Sequence, residues 1–290
     1  MRIIFLVLVI FSLPSVVRCQ LLDLFSAEYT YVPGDNSNFE YKRSRILFNY
    51  PFQVNDGAYL FVGMDYSHVN LDIKDEVASF NQEEADNYTI LDFNLTYTIP
   101  VDKEWRFAVQ LTPGLSSNFE RSVEWEDFVY SGIIVFVKDK KDGVAGNKPY
   151  RIFLGVSYSG SSGVLFPIPF ARYYRRFHPK WSYNLGVPVS NIQYRASERL
   201  RFKLFASLDG FNANLQRDQE TSQGDVNGIR LNMILAGTRY EYKFSDHIEC
   251  FLTITRSFDS VMELRKDRNR VLSIPVNNVM HYRIGIRGKI

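Results

Sequence analysis

Leu91-Asp92-Phe93-Asn94-Leu95-Thr96-Tyr97-Thr98-Ile99-Pro100-Val101 is the stretch from which the fold can be read. Apolar residues at 91, 93, 95, 97, 99 and 101 alternate with Asp92, Asn94, Thr96 and Thr98. In an extended chain one face is therefore greasy and the other wet. The same split recurs in Trp105-Phe107-Val109-Leu111 against Arg106-Ala108-Gln110-Thr112, and in Tyr150-Ile152-Leu154-Val156 against Arg151-Phe153-Gly155-Ser157. Leu200-Phe202-Leu204-Ala206 against Arg201-Lys203-Phe205-Ser207 repeats it, as does Met280-Tyr282-Ile284-Ile286 against His281-Arg283-Gly285-Arg287. These strands run about 10 residues, enough to cross a bilayer at a tilt, whereas strands of soluble sheets average roughly 5 or 6.

The connections carry a second signal. Tight polar turns near Val54-Asn55-Asp56, Asp102-Lys103-Glu104, His178-Pro179-Lys180, Ala196-Ser197-Glu198 and Ser245-Asp246-His247 alternate with longer polar stretches. The longer ones run from Lys74 to Asn87, Ser116 to Asp127, Asn212 to Asn227 and Lys266 to Asn278, and are expected to be loops. Short turns on one side and long loops on the other is the habit of outer-membrane barrels. The pattern predicts an all-β, antiparallel up-and-down transmembrane β-barrel of about 14 strands. If the short hairpin around Pro188 does not span, the alternative is 12.

Composition agrees with a strand-rich chain: 23 Phe, 18 Tyr and 3 Trp among 290 residues. The net charge of +2 gives no argument for nucleic acid. Beyond the first residues the apolar runs fall short of the roughly 20 residues of a membrane helix. A membrane form must therefore be a closed barrel. At the start, Met1-Arg2 followed by the apolar run Ile3 to Phe11 and then Val17-Arg18-Cys19-Gln20 reads as a secretory signal peptide over residues 1–19. The barrel is then expected over 20–290. Acylation of Cys19 is the rival reading, disfavoured by the bulky Arg18 before it. Cys250 would be the only remaining cysteine, so the expected fold has no internal disulfide.

Three stretches have a familiar cast. They are Lys103-Glu104-Trp105 to Thr112-Pro113-Gly114-Leu115-Ser116-Ser117; Gly155-Val156-Ser157-Tyr158 with Leu165-Phe166-Pro167-Ile168-Pro169; and Trp181 to Leu185-Gly186-Val187-Pro188. In them the chain resembles a family of outer-membrane β-barrel proteins of unknown function from Gram-negative bacteria. The resemblance covers most of the mature chain and implies the barrel fold and the outer membrane. It brings no catalytic or binding residues. The chain departs from the usual barrel ending in carrying Ile290 where an aromatic is common.

For chemistry, the wet faces are the informative part. Arg106, Arg151, Arg201, Lys203, Arg239, Arg283 and Arg287 fall on inward phases, against Asp65, Asp92, Glu241 and Glu249. A basic interior fits a water-filled pore favouring anions; the same residues also fit a salt-bridged plug that only fills the lumen. Trp105 and Trp181, each just after a charged turn, are expected in an aromatic girdle at the headgroup level. A lipid-hydrolase site would need Ser and His together. The candidate His68 and its neighbour Ser67 should point to opposite faces, which argues against an enzyme. No His or Cys pair has metal-ligand spacing and no glycine-rich loop matches a nucleotide cradle, so no cofactor is expected. The expected partners are the lipid bilayer, the outer-membrane insertion machinery and small solutes, with the barrel a monomer. The expected role is a passive channel or transporter for small polar or anionic solutes. The alternative is a structural or surface-binding barrel acting through loops such as Lys74 to Asn87 and Asn212 to Asn227.

Overall fold

Alternating β-branched, aromatic and polar residues favour extended chain from one end of the sequence to the other. The computed structural model describes residues 23–34, 39–74, 86–140, 149–160, 167–267, 269–276 and 278–289. In chain order the strands are β1 (Phe25–Val32), β2 (Phe39–Asn55), β3 (Ala58–Ile73), β4 (Asn87–Pro100), β5 (Trp105–Ser117), β6 (Phe128–Lys140), β7 (Tyr150–Ser159) and β8 (Ile168–His178). They continue with β9 (Trp181–Gly186), β10 (Val189–Arg195), β11 (Leu200–Thr221), β12 (Gly224–Lys243), β13 (Ile248–Ser257), β14 (Val261–Lys266), β15 (Asn269–Pro275) and β16 (Met280–Gly288). The expected signal peptide, Ile290 and most of the connection from Lys74 to Asn87 lie outside the described residues.

Neighbours pair antiparallel in chain order from β1 to β13, and β13 pairs next with β16. β16 returns to β1 with Tyr29 opposite Ile284, which closes the ring. Of the sixteen strands in the sheet, β14 and β15 stand outside this ring, so the wall has fourteen. Closure leaves the wall without an edge. The hairpin flanking Pro188 belongs to the wall, since Leu185 of β9 lies opposite Tyr173 and Ile192 of β10 lies opposite Leu204. The twelve-strand alternative falls with that pairing.

Two of the expected loops are corrected. The stretch Asn212 to Asn227 continues β11 and β12 around the two-residue turn Ser222-Gln223, with Phe211 opposite Leu231 and Gln219 opposite Val226. Lys266 to Asn278 contains β15, which returns along β14 with Leu264 opposite Leu272, and β14 in turn pairs with the far half of β12. Their polar residues suggested loops because one face of each meets water, while Phe211, Ala213, Leu215 and Val226 on the other are buried.

The wall changes character along its axis. In β3, Val62, Met64 and Tyr66 are exposed on the outside while Ser67 is buried on the inner phase. Past His68 the pattern inverts: Val69, Leu71 and Ile73 are buried inside, and Asn70 and Asp72 take the outward phase. β2 does the same, with Ile46, Phe48, Tyr50 and Phe52 exposed outside and, toward the loop end, Tyr41 and Phe39 buried inside. In these two strands the exterior is thus apolar over the turn-end part and polar beyond it, and the interior is the reverse.

Candidate functional site

The lumen is layered, and each layer follows from which residues the inward phase carries at that height. At the turn end, β11, β12, β13 and β16 bring cations around two buried carboxylates. Glu241 of β12 accepts from Lys203 Nζ at 2.6 Å and Arg287 Nη2 at 2.7 Å, and Arg201 Nε lies 3.1 Å from it. Glu249 of β13 accepts from Lys289 Nζ at 2.7 Å and also pairs with Arg201 and Arg287. Each acid bridges several strands, because one carboxylate presents about four lone-pair sites. Five of the residues expected to face the lumen therefore meet in one network.

Above that network lies a cavity of about 380 Å³. Asp209 of β11 pairs with Arg283 of β16, and Arg43 Nη1 of β2 reaches it at 3.8 Å. β2 and β11 are separated in the ring by β1, β16, β13 and β12, so this contact crosses the lumen. Arg283 also donates through Nε to Thr30 Oγ1 at 2.8 Å, and its Nη1 lies 3.9 Å from Glu28. Arg239 is held differently. Its guanidinium lies 4.7 Å from the Phe251 ring centroid and 5.3 Å from that of Phe205, and Nε donates to Thr253 Oγ1 at 2.9 Å. Arg172 of β8 stacks over Phe153 at 3.9 Å. His281 also lines this cavity and is only 2% exposed.

A dry cap covers the cavity on the loop-end side. β11 leaves β10 after Ser207, its last residue paired to that strand, and crosses to β5, where Asn214 pairs in parallel with Ser117. The departure is at Gly210, whose φ of +147° suits glycine alone; a Cβ there would collide with the carbonyl oxygen of Leu231. Beyond it Phe211 enters between Tyr41 and Tyr88, with ring centroids 6.2 and 5.6 Å away. Leu231, Met262, Leu264 and Ile274 complete a buried apolar cluster built by the β11–β12 and β14–β15 hairpins against β2 to β4.

One carboxylate fastens the crossing. Asp127, in a 3-10 turn (Trp125–Asp127) ahead of β6, is fully buried and accepts from Asn214 Nδ2 at 2.9 Å and Gln216 Nε2 at 2.7 Å. The Glu124 backbone N–H adds a third bond at 2.9 Å. Burial pushes its pKa up, but these donors to the charged form outweigh burial and hold it below the usual carboxylate range.

The remaining expected residues sit apart. Asp65 is paired with Arg45, Arg151 with Asp139 at 2.6 Å, and Arg106 donates to the Gly57 carbonyl at 2.6 Å beside a turn. Asp92 is on the inward phase of β4. Trp181 is exposed and packs 4.8 Å from Tyr194, while Lys138 lies 5.5 Å over the half-buried Trp105 ring. Ser67 is buried and accepts from Arg43 Nη2 at 3.0 Å, whereas His68 occupies the outward phase, so the two form no dyad. Sequence reasoning missed Arg43, Arg45 and Arg172, and placed Asp209 and His281 on wet faces without counting them among the lumen residues. All five share the phase of wet-face residues in their strands, and that was the available signal. It also missed Trp125, which is 75% exposed beside Phe128 near the loop end.

Among solved structures the chain is similar to the NanC porin, with 10% identity, a TM-score of 0.39 and coverage of 92% of this chain and 100% of that one. It is similar to an outer membrane channel from Pseudomonas putida F1, at 7% identity and a TM-score of 0.46, covering 91% of this chain and 94% of that one. LpxR from Salmonella typhimurium gives 10% identity and a TM-score of 0.38, covering 91% of this chain and 100% of that one. No curated protein matches the chain. The model of a family described as a domain of unknown function, DUF6268, matches residues 53–271, most of the chain including most of its wall strands, and the chain belongs to that family.

Proposed function

We propose that this is an outer-membrane barrel that takes small polar or anionic solutes into its lumen and passes them across the membrane. The membrane part rests on the closed wall and the band of exposed apolar side chains around its turn-end portion. A closed barrel is the form in which strands satisfy their backbone in lipid. Both termini of the wall and the tight turns then lie on the periplasmic side, and the cap faces outward. The expected signal peptide over 1–19 accounts for export to that site.

The observation that carries the solute reading is the polar, cation-rich cavity enclosed by that apolar exterior. Inward cations raise the local concentration of anions in a low-dielectric tube. The dry cap makes passage depend on loosening the β11–β12 hairpin, so the resting conductance should be small. Purified protein in planar bilayers is expected to give a small current with anion selectivity, and Phe211→Ala, which hollows the cap, is expected to raise it several-fold. Absence of current from both proteins would remove the passage reading. A second reading, a structural or surface-binding barrel without a conducting pore, is favoured by the same cap. That outcome would support it.

A further inference from the structure

The cavity beneath the cap holds more positive charge than its own acids neutralise. Of its acidic lining residues, Asp209 pairs with Arg283 and Arg43, and Glu28 lies beside Arg283. Arg45 and Lys203 have their own partners in Asp65 and Glu241. Arg172 and Arg239 form no ion pair with a carboxylate among the described residues. Each rests instead on aromatic faces, Arg172 on Phe153 and Arg239 on Phe205 and Phe251. A ring face steadies a guanidinium plane while leaving donor edges free. Arg172 Nε has no hydrogen-bond partner among the described residues.

His281 gives an independent sign. It is almost fully buried against the same cavity, and neither ring nitrogen has a hydrogen-bond partner among the described residues. Buried polar side chains are ordinarily satisfied, and the exceptions ask for a reason. A neutral imidazole has one N–H to give, and an oxyanion accepts it. The volume of about 380 Å³ is that of a small-molecule site.

We infer that this cavity is a binding site for a small solute bearing a carboxylate or phosphate group, held by the planar forks of Arg172 and Arg239 and by the ring of His281. Guanidinium forks match the paired oxygens of those groups and not a spherical halide. The site deepens the solute reading above, on which it rests for access to the lumen.

Isothermal titration of the full-length protein in detergent micelles tests this, with succinate, inorganic phosphate and sodium chloride compared at constant ionic strength. Saturable binding of succinate, of phosphate or of both is expected, with none for chloride; which of the two binds tells the carboxylate from the phosphate source. Arg172→Gln and Arg239→Gln should each weaken that binding at least about tenfold, equivalent to about 1.4 kcal/mol. Arg175→Gln, on the outward phase of β8, should leave it unchanged. Folded barrel is confirmed by its shifted mobility in unheated gels, and Arg172→Lys, which keeps the charge but not the fork, is expected to bind with intermediate strength. A non-saturable response common to all three salts would overturn the inference, as would unaltered affinity in the folded double variant Arg172→Gln/Arg239→Gln. Saturable binding without ionic current keeps this site and removes passage; current without saturable binding does the opposite.

Discussion

The two ends of this lumen solve the same problem, filling the inside of a strand cylinder, with opposite chemistry. At the turn end Glu241 and Glu249 gather Arg201, Lys203, Arg287 and Lys289 into a charged network. At the loop end Phe211, Tyr41, Tyr88 and Leu231 pack as a soluble protein's core would. The difference follows from what lies outside the wall at each height. Where the exterior is apolar, as the proposed lipid contact requires, the inward phase is left to polar residues. Where the exterior meets water, the same wall can bury an apolar face inside, and burial becomes the main stabilising term. An apolar cap should be blunt to salt and costly to hollow. A charged network should respond to salt and to the loss of a single partner.

The largest effect is expected at the centre of the cap. Phe211→Ala removes a fully buried ring from between two tyrosines, and losses of this kind cost about 3–5 kcal/mol. Urea unfolding of the barrel in detergent should report it, with little change between low and high salt. Loss of under about 1 kcal/mol would mean that the cap is loosely packed and that the two ends do not differ as described. Next is Glu241→Gln, which leaves Lys203, Arg287 and Arg201 without their shared, fully buried partner. Breaking a buried pair costs roughly 3–5 kcal/mol, and the partial exposure of Arg201 and Lys203 places this one toward the lower end. Here the cost should shrink as ionic strength rises. A salt-independent cost would show that Glu241 acts by packing rather than by charge.

Much of the wall was legible because period-two alternation is a direct consequence of an apolar exterior and a polar interior. Leu91 to Val101 and Met280 to Arg287 follow that rule and were placed correctly. The cap escaped because the rule reverses there. Val69-Asn70-Leu71-Asp72-Ile73 alternates as cleanly as the stretch before it, but its apolar residues face inward. In β11 the inward phase runs from Arg201, Lys203 and Asp209 to Phe211, Ala213 and Leu215 with no change of spacing, only of polarity. Reading that switch would have located both the rim of the apolar belt and the buried hairpins. Of the site, the charged phase could be read from sequence, but which residues meet could not. Arg43 and Asp209 are brought together across the lumen by ring closure, and no local pattern encodes that contact.

The smallest effect tests the latch between the two regions. Asp127 holds the crossing segment of β11 through Asn214 and Gln216, so it couples the cap to β6 without belonging to either apolar cluster or charged network. Asp127→Asn keeps the shape but replaces an acceptor-only group with one that must present an NH2 to donors. One or two of its bonds are lost, and leaving buried partners unsatisfied costs about 1–3 kcal/mol. The wild-type residue also predicts a pH response. Its folded pKa lies below the ordinary value, so the stabilisation is fully present above the unfolded pKa of about 3.9 and fades as pH falls through the lower folded value. Hydrogen exchange at the backbone amides of Asn214 and Gln216 should therefore accelerate below about pH 4 beyond the intrinsic trend in wild-type protein, and show no such step in Asp127→Asn. The amides around Leu154 of β7, held in mid-wall between β6 and β8, should keep their protection through the same step. If both regions loosened together, the lumen would be one cooperative unit rather than a dry cap latched over a wet chamber.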